Sequence, residues 1–256
     1  MSVEEIKAPH IALYFENSKG SVASKKMHLA AIRSLFNFLV SNETLKSGIN
    51  PSLSVRGPSL SRTVGKTPYL SGEEVLQLLS VIGEETLKQK RDRAIICTML
   101  YTFARVGAVV KLKREDYFPM NKRYFLRLNE KRGKEHMVPV HHIAEEALDA
   151  YLVETGIKGG DYLFQGIQAK QLTGRGLSRV NVFDMIKVYA EKAGLRPEFV
   201  CCHSMRATGI TTFLKNGGSL EDARQIANHA DSRTTRLYDR RHQEVTVSEI
   251  ERIRFE

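Results

Sequence analysis

The sequence lacks the motifs that mark several large groups of enzymes. It has three cysteines, Cys97, Cys201 and Cys202, and neither a CxxC pair nor a His-rich spacing that would hold zinc. It also has no GxxxxGKS/T loop for a nucleotide and no cluster of carboxylates. We therefore expect chemistry that needs no metal ion and no other cofactor. A zinc site built from Cys201, Cys202 and His203 is the weaker alternative.

Long apolar runs are absent as well. No stretch approaches the roughly 20 apolar residues that span a bilayer, and residues 1–10 lack the apolar core of a signal peptide. Adjacent Cys201 and Cys202 are poorly placed for a structural disulfide, which fits a reducing compartment. These absences favour a cytoplasmic protein that does not contact a membrane.

Positive charge, in contrast, is in surplus. The chain has 39 Lys and Arg against 29 Asp and Glu, which gives a formal net charge of +10. A surplus of this size favours a polyanionic partner, although charge alone makes nucleic acid only somewhat more plausible than a basic soluble protein. Hydrophobic residues make up 42% of the 256 residues, enough for a folded core.

Residues 22–40 show the spacing of an amphipathic helix. Five apolar residues recur on one face at intervals of three and four: Leu29, Ile32, Leu35, Phe36 and Leu39. The rest of the helix carries three basic residues, which either face solvent or contact DNA: Lys25, Lys26 and Arg33. Residues 54–68 are rich in Ser, Gly and Pro and lack acidic residues, and they predict a basic linker that includes Arg62 and Lys66.

The chain beyond this linker is predicted to be mostly helical with a small antiparallel β-sheet. Ser71 is predicted to cap one helix, and residues 91–104 form a strongly apolar helix whose last turn carries Arg105. Two strands, 124–128 and 136–140, are predicted to be joined by a turn that contains Lys131. Further helices are predicted at 142–154, 178–193, 204–215, 219–228 and 232–241.

Six polar residues follow one another along this part of the chain: Arg105, Lys131, His203, Arg206, His229 and Tyr238. Each alone has an ordinary explanation, such as a helix-dipole partner, a surface pair, a cap or a packed side chain. Together they supply two guanidiniums, an ammonium, two imidazoles and a phenol. That set suits attack on a phosphodiester by a tyrosine without a metal ion.

The segments that carry these residues resemble the motifs of the tyrosine recombinases, the family of phage integrases and their relatives. YTFARVGAVVKLKREDY resembles their first catalytic box, NEKRGKEHMVPV their lysine hairpin, and CCHSMRATGITTFLKNGGSLEDARQIANHADSRTTRLYDRR their second box. The order and approximate spacing agree over residues 69–241. The resemblance implies a catalytic domain at 69–256, and residues 1–53 resemble the latter half of a helical SAM-like DNA-binding domain.

The resemblance also implies a role for each residue. Arg105 and Arg206 would hold the non-bridging oxygens of the scissile phosphate. Tyr238 would attack phosphorus and form a 3′-phosphotyrosine with a free 5′-hydroxyl. His203 would take the tyrosine's proton, since a phenol in water has a pKa of about 10. Lys131 would protonate the departing 5′-oxygen.

Three positions depart from the family's usual pattern. Ala108 stands where an acidic residue is usual, Ala207 where a His is common, and Asn228 where Gly is common. His229 would hydrogen-bond the phosphate or stabilise the transition state. Because these departures leave the residues on the phosphate in place, we expect an active but weaker enzyme.

We therefore expect a site-specific recombinase or integrase of a mobile element, associated with the nucleoid. Its partner would be duplex DNA, bound by a tetramer of this chain, with accessory DNA-bending proteins as further candidates. DNA contacts are assigned to eight basic residues: Lys25, Lys26, Arg33, Arg62, Lys66, Lys134, Arg175 and Arg179. Since the N-terminal domain is short, binding is expected to be weak and sensitive to salt.

Two questions stay open from the residues alone. The tail, with Val247, Ile250 and Ile253 at spacings of three, either docks on a neighbouring protomer or folds back on its own domain. The activity has two alternatives: a type IB topoisomerase, which would share the chemistry, and a non-catalytic DNA-binding regulator of a mobile element that has kept the fold.

Overall fold

A computed structural model of the protein describes residues 2–59, 67–129 and 135–240. The chain forms two compact units, Met1–Arg62 and Thr63–Glu256. Several residues named above lie outside the described residues: Arg62, Lys66, Lys131, Lys134, Val247, Ile250 and Ile253. Within the described ranges, no helix is both long enough and apolar enough to cross a membrane.

The first unit is built on two helices, α1 (Ala8–Asn17) and α2 (Val22–Ser41), preceded by a 3-10 turn at Val3–Glu5. Ser21 caps α2 by accepting a hydrogen bond from the backbone N–H of Ser24. The core residues come from both helices and from the chain that follows them: Ile11, Leu29, Phe36, Leu45 and Val55. The predicted helix at 22–40 is confirmed. Val55 shows that the beginning of the predicted linker packs with this unit.

The prediction that Leu35 faces the core is wrong. Leu35 is 53% exposed, and it shares the outer side of α2 with Met27 and Phe38, which are 67% and 64% exposed. A helix turns about 100° per residue, so Leu35 points well away from its buried neighbour Phe36. The helix therefore has an apolar face on each side, and periodicity alone did not separate them.

Two of the basic side chains on α2 bind the backbone of their own unit. The Arg33 guanidinium donates to the carbonyl oxygens of Val55 at 3.0 Å and Ser52 at 3.4 Å. Lys25 Nζ donates to the carbonyl of Phe15 at 2.8 Å. Arg33 thus holds the chain after α2 against the helix, a structural role that the basic pattern of the sequence did not indicate. Lys26 is exposed.

The second unit is mostly helical and contains two small antiparallel sheets. Its helices are α3 (Gly72–Ser80), α4 (Leu87–Thr102), α5 (Val106–Val109), α6 (His142–Leu152), α7 (Arg179–Lys192), α8 (Cys202–Lys215), α9 (Leu220–Ile226) and α10 (Ser232–Arg236). Short 3-10 turns occupy Arg114–Asp116 and Pro197–Phe199. The predicted fold class, mostly α with a small antiparallel sheet, is confirmed. Ser71 caps α3 as predicted, since its side chain accepts from the N–H of Glu74.

One sheet has the strand order β1 (Tyr117–Met120), β2 (Arg123–Asn129), β3 (Glu135–Pro139), and the other pairs β4 (Gln165–Gln168) with β5 (Gln171–Gly176). The predicted strands at 124–128 and 136–140 are confirmed as β2 and β3. The sequence did not predict β1, β4 or β5. The turns that join β1 to β2 and β4 to β5 have positive φ at residues other than glycine, so the usual Asn-Gly signal of a hairpin is missing.

Helices α4 and α8 pass very close to each other at Gly209. A β-carbon added at Gly209 would lie 2.1 Å from the carbonyl oxygen of Leu100 and 2.7 Å from the Phe103 ring. Most of α4 is buried, including Ile95, Ile96 and Met99. Because the obstructing Leu100 atom belongs to the backbone of a buried helix, it cannot move aside cheaply. Glycine at this position sets how closely α8 approaches the core.

We expect Gly209→Ala to destabilise the protein by about 1–3 kcal/mol, since the added methyl group overpacks the contact between α4 and α8. The measurement is the free energy of unfolding by urea. Gly72→Ala is the matched control, because a β-carbon at Gly72 in α3 meets no atom within 4 Å. Equal stability of the two variants would contradict the close approach.

Candidate active site

The chain around Arg105 turns sharply between two helices. Helix α4 ends at Thr102, and Phe103 adopts a left-handed conformation with φ of 56°. The sequence predicted Arg105 in the last turn of α4, and this is wrong. Arg105 directly precedes α5, and its carbonyl oxygen accepts from the N–H of Ala108 at 2.8 Å. The left-handed residue ends α4 and turns the chain toward α8 and His229.

Arg206 and His203 lie one turn apart near the start of α8. His203 is exposed, whereas Arg206 is only 3% exposed. The Arg206 guanidinium donates through Nη1 to the carbonyl of Phe103 and through Nη2 to the carbonyl of Ala227 at 2.6 Å. Nη2 also contacts Nε2 of His229 at 2.7 Å. A buried guanidinium is thus oriented by acceptors from two separate chain segments, which fixes the plane of its fork.

The contacts of His229 define its protonation. Since a guanidinium can only donate, His229 Nε2 must accept from Arg206, and the ring proton must sit on Nδ1. Nδ1 lies 2.8 Å from Thr235 Oγ1, which accepts that proton. Burial, with help from the charges of Arg206, Arg105 and Arg224, lowers the pKa of His229 to about 3. His229 is therefore neutral over the whole physiological pH range.

Arg105 also affects the pKa of His229. Its guanidinium is close enough for its charge to disfavour the imidazolium form of His229. Arg224 reaches His229 from another direction: its Nη1 donates to the His229 carbonyl at 3.1 Å while its side chain pairs with Glu221. The positive charges of Arg105, Arg206 and Arg224 thus converge on one neutral imidazole.

Tyr238 lies just beyond α10, not within it. The helix was predicted to span 232–241, but it ends at Arg236. The Tyr238 ring lies parallel to the His229 ring within 10°, with centroids 5.9 Å apart. Its carbonyl accepts from Thr211 Oγ1 of α8 at 3.1 Å, and it packs against the small core formed around Ile210 and Leu214. These contacts place the Tyr238 ring beside His229, the imidazole that contacts Arg206.

The structure thus brings Arg206, His229 and Tyr238 together from distant parts of the chain. Arg105 is near enough for its charge to act on His229, and His203 lies exposed one turn from Arg206 on α8. Lys131 lies outside the described residues. Sequence reasoning missed two threonines. Thr235 is buried and bonds to Nδ1 of His229, and Thr211 holds the Tyr238 backbone. A threonine that supports a functional group leaves no sequence pattern of its own.

Three further observations complete the site. Arg175 on β5 and Arg179 at the start of α7 are both exposed, as a DNA contact requires. Among the described residues, no group of three or more His, Cys, Asp or Glu side chains is placed to bind a metal ion. The alternative zinc site at Cys201, Cys202 and His203 therefore has no support there.

The three departures from the expected pattern now have physical explanations. Ala108 and Ala207 are buried, at 4% and 1% exposure, so each position is filled by packing. Asn228 has φ of 48°, in the left-handed region. Glycine adopts that region most readily, and asparagine is among the residues that tolerate it next best. Asn228 thus keeps the turn that delivers His229.

Comparisons with known proteins agree with this geometry. The family model described as "Phage integrase family" matches residues 68–244. The chain is 31% identical over 224 residues to tyrosine recombinase XerD of Mycobacterium tuberculosis, which covers 85% of this chain and 70% of that protein. It is 28% identical over 225 residues to tyrosine recombinase XerD of Listeria innocua, covering 85% and 71%.

The chain belongs to the phage integrase family and is a tyrosine recombinase. Its fold matches the XerH site-specific recombinase bound to a palindromic difH substrate, with a TM-score of 0.77 at 22% identity over 98% of this chain and 74% of that one. It also matches a lambda integrase dimer bound to a COC' core site, with a TM-score of 0.68 at 18% identity over 95% and 67%. These two structural matches show the fold. The family model and the XerD relatives support recombination and give no support to the topoisomerase or the non-catalytic regulator.

We expect Asn228→Gly to leave the integrase nearly unchanged and Asn228→Val to destabilise it by about 1–2 kcal/mol, because a β-branched residue resists the left-handed conformation. Thermal unfolding of both variants measures the difference. Glu43→Val is a useful control, since Glu43 has a similar φ of 53° in the first unit. If Asn228→Val were as stable as Asn228→Gly, the turn before His229 would not need a left-handed residue.

We expect the integrase to lose stability as the pH falls below about 6.5, partly through His229. The unfolded chain protonates this residue near pH 6.5, but the folded chain does not until about pH 3. Between those values the unfolded state binds more protons, so acid favours unfolding. The melting temperature of wild type should fall more steeply through this window than that of His229→Gln, which keeps an acceptor for Arg206. Parallel curves would contradict the assignment.

Proposed function

We propose that this recombinase cleaves and rejoins duplex DNA through a 3′-phosphotyrosine on Tyr238. The observation that carries the proposal is the convergence of Arg105, Arg206 and Tyr238 around the neutral ring of His229. Two guanidiniums match the non-bridging oxygens of a phosphate and stay charged at every relevant pH. A phosphodiester placed between them would present its phosphorus to the phenol on the same side of the pocket.

Each step of the reaction conserves its bonds and protons. The Tyr238 oxygen attacks phosphorus, and His203 accepts the phenol proton. The bond from phosphorus to the 5′-oxygen breaks, and Lys131 supplies the proton for that oxygen. Negative charge that develops on the phosphate in the transition state would be met by Arg105 and Arg206, and the contacts of Arg206 hold its guanidinium in place before the reaction begins.

His229 serves this reaction by orienting Arg206 instead of donating to the phosphate. Its Nε2 accepts from Arg206, and its Nδ1 proton is committed to Thr235. Protonation of Nε2 would be needed for it to donate, and its pKa of about 3 makes that protonation rare at neutral pH.

The phosphotyrosine retains the energy of the broken bond, so rejoining requires no nucleotide. The 5′-hydroxyl of another strand can attack phosphorus and release Tyr238, which exchanges strands. Two duplexes need four cleavages, so we propose a tetramer of this chain on DNA, acting at the nucleoid as the integrase of a mobile element, with DNA-bending proteins as accessory partners. The tail beyond residue 240 would dock on a neighbouring protomer.

Exposed basic residues would hold the duplex. Arg175 and Arg179 are the exposed candidates in the second unit and Lys26 in the first. Arg62, Lys66 and Lys134, outside the described residues, stay candidates from the sequence. Each phosphate contact adds about 0.9 to the slope of binding affinity against salt concentration on logarithmic scales. Arg33 and Lys25 would contribute less, because both already bind backbone carbonyls of their own unit.

The test is covalent trapping on nicked duplexes with randomised arms, in which the released 5′ fragment diffuses away and leaves the protein attached. We expect wild type to form a covalent complex and Tyr238→Phe to form none, because phenylalanine has no oxygen to attack phosphorus. The complex is measured as a shifted band on a denaturing gel.

Tyr162→Phe is the matched control, since this partly exposed tyrosine packs with Lys113 at a distance from the site. It should trap DNA as wild type does. A covalent complex in Tyr238→Phe would refute the nucleophile. Recombinant products from DNA carrying two selected sites would separate recombination from simple relaxation of supercoils.

A further inference from the structure

The nucleophile lies in a short segment that has little regular structure to hold it. Helix α10 ends at Arg236, and the Tyr238 N–H bonds to the Thr235 carbonyl at 2.9 Å in a single closing turn. Beyond that turn, the position of the segment depends on side chains that reach it from elsewhere. Two connections between the described residues lead from this segment to α8.

The first connection runs through a ring at the start of the second unit. Tyr69 lies between two cations: Lys215, at the end of α8, and Arg240, two residues after Tyr238. Lys215 Nζ is 3.1 Å from the Tyr69 hydroxyl and 5.2 Å from the ring centroid, and the Arg240 guanidinium carbon is 5.5 Å from that centroid. Arg240 also donates to the Thr67 carbonyl at 3.4 Å. We call Tyr69, Lys215 and Arg240 the Tyr69 cluster.

The second connection runs through threonines on α8. Thr208 Oγ1 accepts from the backbone N–H of Leu70 at 2.8 Å, and Thr211 Oγ1 donates to the carbonyl of Tyr238 at 3.1 Å. At about 100° per residue, both threonines and Lys215 fall on one side of α8, roughly opposite Arg206. The same helix therefore holds a phosphate ligand on one side and, on the other side, both residues 67–70 and the nucleophile's segment.

We propose that Tyr69 is a positioning residue for the attack by Tyr238. Its ring binds Arg240 and so anchors the chain on the far side of Tyr238 from α10. An anchor on each side of Tyr238 restricts where the phenol can lie. Attack on phosphorus demands close alignment, and a misplacement of about 1 Å can lower a rate about a hundredfold. Tyr69 acts through Arg240, without touching DNA. The inference rests on the proposed function of Tyr238.

The first test measures single-turnover cleavage at saturating DNA, using nicked duplexes selected by covalent trapping on wild type. We expect Tyr69→Leu, which lacks an aromatic face for the cations, to cleave roughly tenfold more slowly. Tyr69→Phe keeps that face and should cleave at close to the wild-type rate. Phe199→Leu removes another ring next to a cation, that of Arg196 at 4.3 Å, and should have no effect.

The second test separates positioning of Tyr238 from general damage to the site. The substrate is a DNA strand with a 3′-p-nitrophenyl phosphate, on which the 5′-hydroxyl of an adjoining strand attacks phosphorus and displaces nitrophenolate. This reaction uses the phosphate ligands but not the tyrosine, so it can be followed in Tyr238→Phe. We expect Tyr69→Leu added to that variant to leave the rate of nitrophenolate release unchanged.

The outcomes are distinguishable. Slower cleavage with unchanged ligation supports positioning of the nucleophile. Equal slowing of both reactions would show that Tyr69 shapes the whole site, and wild-type cleavage by Tyr69→Leu would show that it does not act at all; either result overturns the inference but leaves the proposed function intact. A wild-type chain that forms no covalent complex would overturn the proposed function, and this inference with it.

Discussion

The site depends on one buried cation, the guanidinium of Arg206. Taking a charge out of water is costly, and removing a partner from a buried charge typically costs about 3–5 kcal/mol. Arg206 is accommodated because two backbone carbonyls and one imidazole nitrogen surround it, contributed by Phe103, Ala227 and His229. These groups lie 21 to 103 residues away along the chain. The fold must therefore be complete before Arg206 has its partners.

Several local conformations follow from that requirement. Phe103 and Asn228 both adopt positive φ. The Phe103 carbonyl accepts from Arg206, and Asn228 directly precedes His229, whose imidazole contacts Arg206. Gly209 allows α8 to lie against α4, so the Phe103 carbonyl comes within reach of a side chain three residues earlier on α8. A left-handed phenylalanine is uncommon and costs energy. This conformation presents the Phe103 carbonyl to the buried Arg206 guanidinium, and that hydrogen bond offsets the cost.

The sequence allowed the fold class and most helices to be predicted, because their signals are local. The spacing of apolar residues predicted α4, and Ser71 predicted the start of α3. The proposed site residues came from their order, their chemistry and the resemblance to a family, and they remain a prediction. The direction of the chain after α4 could not be predicted. Arg105 was assigned to the end of α4 because nothing in the sequence shows that Phe103 adopts a left-handed conformation and turns the chain. Strands β1, β4 and β5 were missed as well, because the two-residue turns beside them contain no glycine that would mark the positive φ of a hairpin turn.

Protonation states were likewise outside the reach of the sequence. His229 was expected to hydrogen-bond the phosphate or to stabilise the transition state, and the sequence could not show its tautomer. That tautomer depends on two neighbours, Arg206 and Thr235, that meet His229 only in the folded chain. A residue's chemistry depends on which of its atoms are already engaged. The sequence shows that an imidazole is present, whereas the fold determines whether it donates or accepts.

Helix α8 then explains how Arg206 and Tyr238 keep their relative positions. Arg206 projects from one side, and Thr211 holds the Tyr238 backbone from roughly the opposite side. Helix α8 has 14 residues and is stiff along its length. The Arg206 guanidinium and the Tyr238 backbone are therefore both attached to one rigid element. Ala108 and Ala207 are small buried residues at positions where the resemblance led us to expect an acidic residue and a histidine. Because Gly209, Thr208 and Lys215 also hold α8, tight packing and these side contacts can keep Arg206 and Tyr238 aligned without those polar residues.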